Sequence, residues 1–188
     1  VLFNKHSYLE GTHSFLSASN YHWMNDSDEK FLLRFEKAQA AARGTRLHAF
    51  AKEAIALGIK LPDIPYTMNQ YVNDAIGFRM TPEVTLFYSV NAYGTADTIG
   101  FSRRDSMLRI HDYKSGVSPS SKQQLYVYAA YFCLEYKYKP HEIETELRIY
   151  QNNEIQIYPG DPVHIAYIMD RIVTLDKRIE ELKAELAA

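Results

Sequence analysis

Apolar residues recur three and four apart through the first third of the chain. In DSDEKFLLRFEKAQAA (26–41), Phe31, Leu32 and Phe35 share one face and Asp26 or Ser27 can cap the start, which predicts a helix. In RGTRLHAFAKEAIALG (43–58), Leu47, Phe50, Ala51, Ala54 and Ile55 keep helical spacing from just after Gly44 to a stop at Gly58, which predicts a second helix. A third is expected over YTMNQYVNDAIGF (66–78), beyond the loop LPDIP; the earlier stretch GTHSFLSASNYHWMN (11–25) reads as an aromatic-rich loop. The period then changes. VTLFYSVNAYG (84–94), TADTIGF (95–101) and MLRIHDYK (107–114) alternate or run apolar between turn-type residues such as SRRDS, so three successive antiparallel strands are predicted. Ser118 and Pro119 make a capping pair for a long, mostly apolar helix. Alternation returns on either side of QNN as a hairpin, and a last helix runs from about Asp161 to the end.

Helices, a three-strand meander, a helix, a hairpin and a helix make an α/β (α+β) arrangement, a mixed sheet flanked by helices. The 188 residues suit one domain with a real core. A net charge of −2 argues against a uniformly basic nucleic-acid binder but leaves room for a local basic groove. The lone cysteine, Cys133, can build neither an internal disulfide nor a cysteine metal cluster. No apolar run approaches a membrane span, and VLFNKHSYLE has no signal-peptide core, so a cytoplasmic protein without a membrane partner is expected.

The chemistry gathers at the ends of the predicted strands. In HDYKSG, Asp112 and Lys114 lie two apart and share parity with Leu108 and Ile110, which directs both charges to the inner face. Taken alone, an Asp-x-Lys triplet is an ordinary ion pair. Asp97 shares parity with Ile99 and Phe101 on the preceding strand, and pairing across the SRRDS turn brings it toward Asp112. Two converging carboxylates repel unless a cation lies between them, and one lysine cannot neutralise both. His48 lies one turn past Gly44, and Gln124 and Tyr128 lie four apart on one face of the helix after the lysine.

Gly44 and His48, then Gly94 and Asp97, then Asp112, Lys114 and Gly116, then Gln124 and Tyr128 stand in an order that resembles the PD-(D/E)XK nuclease superfamily. The likeness is to its RecB-like exonuclease branch, in stand-alone, phage-type form, and covers about Leu16 to Tyr150. The Ser-rich LSASNYHWMN is similar to the opening of that branch. The proline of the superfamily's name is missing, since Thr95 and Ala96 precede Asp97. The iron–sulfur cluster of some relatives is excluded by the single cysteine, and GxxxxGK[ST] does not occur.

The resemblance implies a restriction-endonuclease-like fold and a metal-dependent deoxyribonuclease, most naturally an exonuclease of DNA recombination, repair or phage DNA processing. It implies Asp97, Asp112 and Lys114 as catalytic residues. Mg²⁺ or Mn²⁺ would be held by Asp97, Asp112, the Tyr113 backbone carbonyl and His48, with Glu83 a further candidate; oxygen donors suit either ion and the imidazole favours Mn²⁺. Gln124, Tyr128 and Lys122 would face DNA, single- or double-stranded and engaged at its ends. Arg103 and Arg104 are candidates to track its backbone, as are Arg43 and Arg46. Tyr21, His22 and Trp23 could stack on an unpaired end, although core packing of the tryptophan is the plainer reading. Glu53, about 140° round the helix from His48, reads as a solvated charge. Ile165, Ile168, Ile172, Leu175, Ile179, Leu182 and Leu186 alternate three and four apart within the amphipathic helix 161–188, which suggests contact with a second copy or a partner protein. A structure-specific endonuclease of the same fold, a non-catalytic nucleic-acid-binding module, and an interaction protein built on those heptads are the alternatives.

Overall fold

The computed structural model describes residues 7–9, 12 and 14–187. Gly11 and His13 of the loop expected at 11–25, and the first six residues of VLFNKHSYLE, lie outside the described residues. By its internal contacts the chain divides into two compact units, Val1–Thr45 and Arg46–Ala188. In the first, a 3₁₀ segment Ala18–Asn25 takes up most of the expected loop. The Trp23 indole donates to the Ser17 carbonyl at 3.0 Å. Phe15 packs edge-on against Phe31 and Phe35, and Arg34 grips Asp26 through two nitrogens.

The two helices expected on either side of Gly44 are one 30-residue helix, α1 (Asp28–Leu57). A glycine inside a helix costs only about 1 kcal/mol relative to alanine. Around it Ala41, Ala42, Arg43, Arg46 and Leu47 are good helix formers and only Thr45 is a weaker one, so nothing compels a break. The stop at Gly58 is as expected: with φ of +67° it lets Ile59 donate back to the Ala54 carbonyl at 2.9 Å.

In the second unit, α2 (Thr67–Gly77) is followed by a five-stranded mixed sheet in the order β1-β2-β3-β4-β5. Its strands are β1 (Thr81–Ser89), β2 (Ala92–Ser102), β3 (Met107–Tyr113), β4 (Glu144–Gln151) and β5 (Glu154–Pro159). β3 and β4 run parallel, joined by the crossover helix α3 (Gln123–Tyr136), and the other neighbours are antiparallel. Three antiparallel strands were expected at the start and are present, but the run 84–94 is not a single strand. It contains the β1–β2 turn at Val90 and Asn91, which has neither glycine nor proline to mark it. That turn is held instead by the Ser89 hydroxyl and by Asp176 and Glu180 of the last helix, α4 (Pro162–Ala187).

Helix α3 begins at Gln123 with Lys122 as its cap, so Ser118 and Pro119 do not cap it. The reason lies across the sheet. Buried Gln151 donates to the carbonyls of Gly116 and Ser118 and accepts from Ser120, which ties 116–120 down as a loop. The QNN hairpin forms as expected, with Asn152 and Asn153 both at positive φ, as a tight two-residue turn requires.

Helices cover both faces of the sheet. On one face, α3 and the start of α4 bury Ile99, Leu108, Ile110, Leu125, Leu147 and Ile165. On the other, α2 and the residues of α1 in this unit bury Tyr71, Val72, Met80, Tyr113 and Tyr150. Cys133 is buried in the first core, where the apolar surroundings push its thiol up to about 11. Among the described residues, no helix is long and apolar enough to cross a membrane.

Candidate catalytic site

Strands β2 and β3 pair with Thr98 opposite His111, so one residue further Asp97 comes abreast of Asp112. The carboxylate of Asp97 accepts a hydrogen bond from the Tyr113 backbone N–H at 3.0 Å, which ties the end of β3 to the middle of β2. The parity that was to aim Asp97 inward does not hold along the whole strand. Ala96 and Ile99 both belong to the α3-side core, so the alternation slips between them. Opposite Asp97 on β1, Glu83 takes φ of +46°, a left-handed conformation that non-glycine residues adopt only at a cost. Asp97 therefore sits at an irregularity, and its side chain reaches the α1 face as well, where His48 Nδ1 lies 3.5 Å from Oδ2.

Asp112 and Lys114 behave as the parity of β3 predicts. Asp112 is 1% exposed. Burial, and then the charge of Asp97, push its carboxyl up to about 6, against the opposing pull of Lys114. The ammonium of Lys114 donates to Oδ1 at 3.1 Å. It stands nearer to Oδ2, at 2.9 Å, yet outside hydrogen-bond geometry, so that shielded oxygen accepts no hydrogen bond. Lys114 also donates to Gln124 Oε1 at 3.3 Å, and the Gln124 amide donates to the Tyr128 hydroxyl at 2.9 Å. The i, i+4 pair on α3 thus forms a relay ending on the lysine. Gly94 makes room for it: a Cβ there would stand 3.1 Å from the Tyr128 ring.

Sequence reasoning missed two members. Lys52 lies one turn beyond His48 on α1 and pairs with Glu83 at 3.0 Å. The i, i+4 spacing from His48 was the signal that could have found it. Tyr71 of α2 is buried, stacks obliquely on Tyr113 at 5.5 Å and accepts from the Thr98 hydroxyl at 3.3 Å. Burial, followed by the charge of Asp97, raises its phenol. Nothing in the local sequence distinguishes it from a core tyrosine.

Other candidates lie elsewhere. Arg103 and Arg104 occupy the β2–β3 turn, at the opposite end of β3 from Asp112, and Arg104 pairs with its neighbour Asp105. Lys122 lies over the Tyr158 ring at 4.6 Å. Glu53 is exposed, as is His22, whereas Trp23 is half-buried. Arg43, Tyr21, His22 and Trp23 belong to the first unit. His111 faces the α2 side, away from the carboxylates, and its Nδ1 meets the Tyr150 hydroxyl at 3.3 Å.

Among the described residues, no three His, Cys, Asp or Glu side chains already stand around one ion position. The donors nonetheless suit a hard divalent cation: two carboxylates, a backbone carbonyl and an imidazole come from the end of β3, the middle of β2 and α1, and one buried carboxylate oxygen accepts no hydrogen bond. No family model, curated protein or solved structure matches the chain.

Proposed function

We propose that the protein is a divalent-metal-dependent deoxyribonuclease of the PD-(D/E)XK type, on a restriction-endonuclease-like core, and most specifically a RecB-like exonuclease. One observation carries the reading. Asp97, midway along β2, stands beside the end of β3, where Asp112, buried with an oxygen that accepts no hydrogen bond, pairs with Lys114. A purely structural ion pair would not place a second carboxylate beside the first, because that arrangement raises the energy of the ionised pair.

Asp97, Asp112, the Tyr113 carbonyl and His48 would hold Mg²⁺ or Mn²⁺, with Glu83 a further donor. The ion supplies a Lewis acid for the scissile phosphate and lowers the pKa of a bound water. The chain's own residues do the rest. Lys114 directs an ammonium at the oxygens on which charge accumulates as the phosphodiester is attacked. Gln124 fixes that ammonium, and Tyr128 fixes Gln124. The Tyr113 N–H holds Asp97 against the end of β3.

The test uses end-labelled linear duplex, single-stranded and closed circular DNA, each with Mg²⁺, Mn²⁺ or EDTA, beside Asp112→Ala and Lys114→Ala. Metal-dependent shortening of linear DNA is expected, reduced by at least a hundredfold in both variants while their folding is retained. Intact DNA under every condition would sink the proposal. Cutting of closed circles would replace the exonuclease by an endonuclease of the same chemistry.

A further inference from the structure

A second site lies at the other end of the sheet. There a cleft of about 340 Å³ opens between the start of β1, the end of β2 and the end of α3. Arg79 and Arg103 line it together with Phe101, Phe132, Tyr136 and Tyr138. The four rings form one cluster: Phe101 lies 5.1 Å from Phe132 and 4.8 Å from Tyr138, and Phe132 stacks nearly parallel on Tyr138 at 5.6 Å. Tyr136 leans on Phe132 at 4.9 Å and leaves half its surface open.

Both arginines are exposed, and neither is ion-paired among the described residues, whereas nearby Arg104, Arg109 and Arg148 all have carboxylate partners. Arg79 carries a further mark. It ends α2 at φ of +55°, the left-handed position of a helix stop with Met80 donating to the Ala75 carbonyl at 2.8 Å. Glycine fills that position without the steric cost an arginine bears. An unpaired guanidinium on a strained backbone position beside an aromatic cleft is an observation that asks for a ligand.

We infer that this cleft is a nucleotide subsite, taking one unpaired nucleoside monophosphate unit with its base against the aromatic rings and its phosphate on Arg79 and Arg103. The volume falls within the range of small-ligand pockets. Aromatic rings stack on any base, and paired guanidinia match phosphate oxygens. The cleft also lies in line with the candidate catalytic site. Gln124, Tyr128, Phe132 and Tyr136 stand four apart along α3, a row leading from the Lys114 relay to the cleft. On β2, Phe101 lies four residues from Asp97, about 13 Å along the strand. The inference rests on the nuclease reading for the polymer that would present the nucleotide, though not for the cleft's affinity.

The test measures binding in EDTA, where no cleavage intervenes. Titrate the full chain with thymidine 5′-monophosphate, thymidine, and short oligothymidylates with and without a 5′-phosphate, by calorimetry. Compare Arg79→Gly, which relieves the backbone strain and so should fold at least as well, Arg103→Ala and Tyr136→Ala. The monophosphate should bind more tightly than the nucleoside. Each arginine variant should lose about tenfold or more and erase the benefit of the phosphate, and Tyr136→Ala should weaken both ligands. Equal binding by wild type and both arginine variants, or no binding of the monophosphate beyond that of thymidine, would overturn the inference. Metal-dependent cleavage, assayed separately against Asp112→Ala, keeps the two readings apart. Cleavage without arginine-dependent nucleotide binding defeats the subsite alone, and arginine-dependent binding without cleavage defeats the nuclease alone.

Discussion

Glu83 and Lys52 show how much of the site is decided residue by residue. Glu83 is held at positive φ beside Asp97, and the only charge that meets it among the described residues is the ammonium of Lys52. Both side chains are substantially exposed, so the pair contributes no more than about 1 kcal/mol to stability. Its consequence lies in competition: an ammonium on Glu83 stands where a cation drawn by Asp97 and Glu83 would have to displace it. Lys52→Ala should therefore leave the melting temperature nearly unchanged and tighten Mn²⁺ binding several-fold, read by calorimetry or by the electron spin resonance of free Mn²⁺. Glu83→Gln should weaken it. Unchanged affinity in both variants would remove Glu83 from the metal-holding set and leave Asp97, Asp112, Tyr113 and His48.

At the scale of elements, the site depends on α3 packing closely against β2, and Gly94 makes room there for the Tyr128 ring. A methyl group there would press on the Tyr128 ring at 3.1 Å, and a branched side chain would displace it. Gly94→Val should thus shift Tyr128, loosen Gln124 from Lys114 and lower the cleavage rate about tenfold with little change in circular dichroism, while Gly94→Ala has a milder effect. Under the proposed function, a Gly94→Val variant cleaving at the wild-type rate would show that the relay does not position the lysine. The glycine and the Gln-x-x-x-Tyr pair were legible in the sequence, as were α2, β3, the QNN hairpin and the alternation that turns Asp112 and Lys114 inward. What was not legible depended on partners distant in the chain. The β1–β2 turn at Val90 and Asn91 is stabilised by α4, and the late start of α3 by Gln151. The continuity of α1 through Gly44 defeated a local rule whose cost is too small to break a helix. The slip at Asp97 lies opposite Glu83 at positive φ, a pairing between strands that no local pattern marks. The heptad-like seam of α4 divides likewise: Ile165, Ile168 and Ile172 pack on the chain's own core, and Leu175, Leu182 and Leu186 remain exposed.

For the molecule as a whole, the candidate site lowers stability, and the sign of that effect can be measured. Asp112 ordinarily titrates near 3.8 and in the folded chain is raised to about 6. Between those values the native state holds a proton that the unfolded chain has released, so stability falls as pH rises from about 4 to 6 and stays lowered above. The loss is on the order of 3 kcal/mol, a large share of a typical domain's 5–15 kcal/mol. His111, its neighbour in sequence, acts in the opposite sense. Burial, then Arg148 and Arg109, lower it from 6.5 to about 3, so its contribution is lost as pH falls below about 6.5. The two slopes oppose each other in the wild type, and the difference from Asp112→Asn isolates the aspartate because the other groups cancel. In EDTA at pH 7.5, Asp112→Asn should be the more stable protein by on the order of 2–3 kcal/mol in urea unfolding. That advantage should shrink as pH falls through 6 and vanish near 4, where wild-type Asp112 is neutral in both states. Mn²⁺ should then stabilise the wild type and leave Asp112→Asn nearly unmoved, because binding to the folded state alone raises its stability. An advantage independent of pH, or a variant less stable than wild type at pH 7.5, would mean that the carboxylate is a structural ion-pair partner of Lys114, and would defeat its assignment as a metal-ready group.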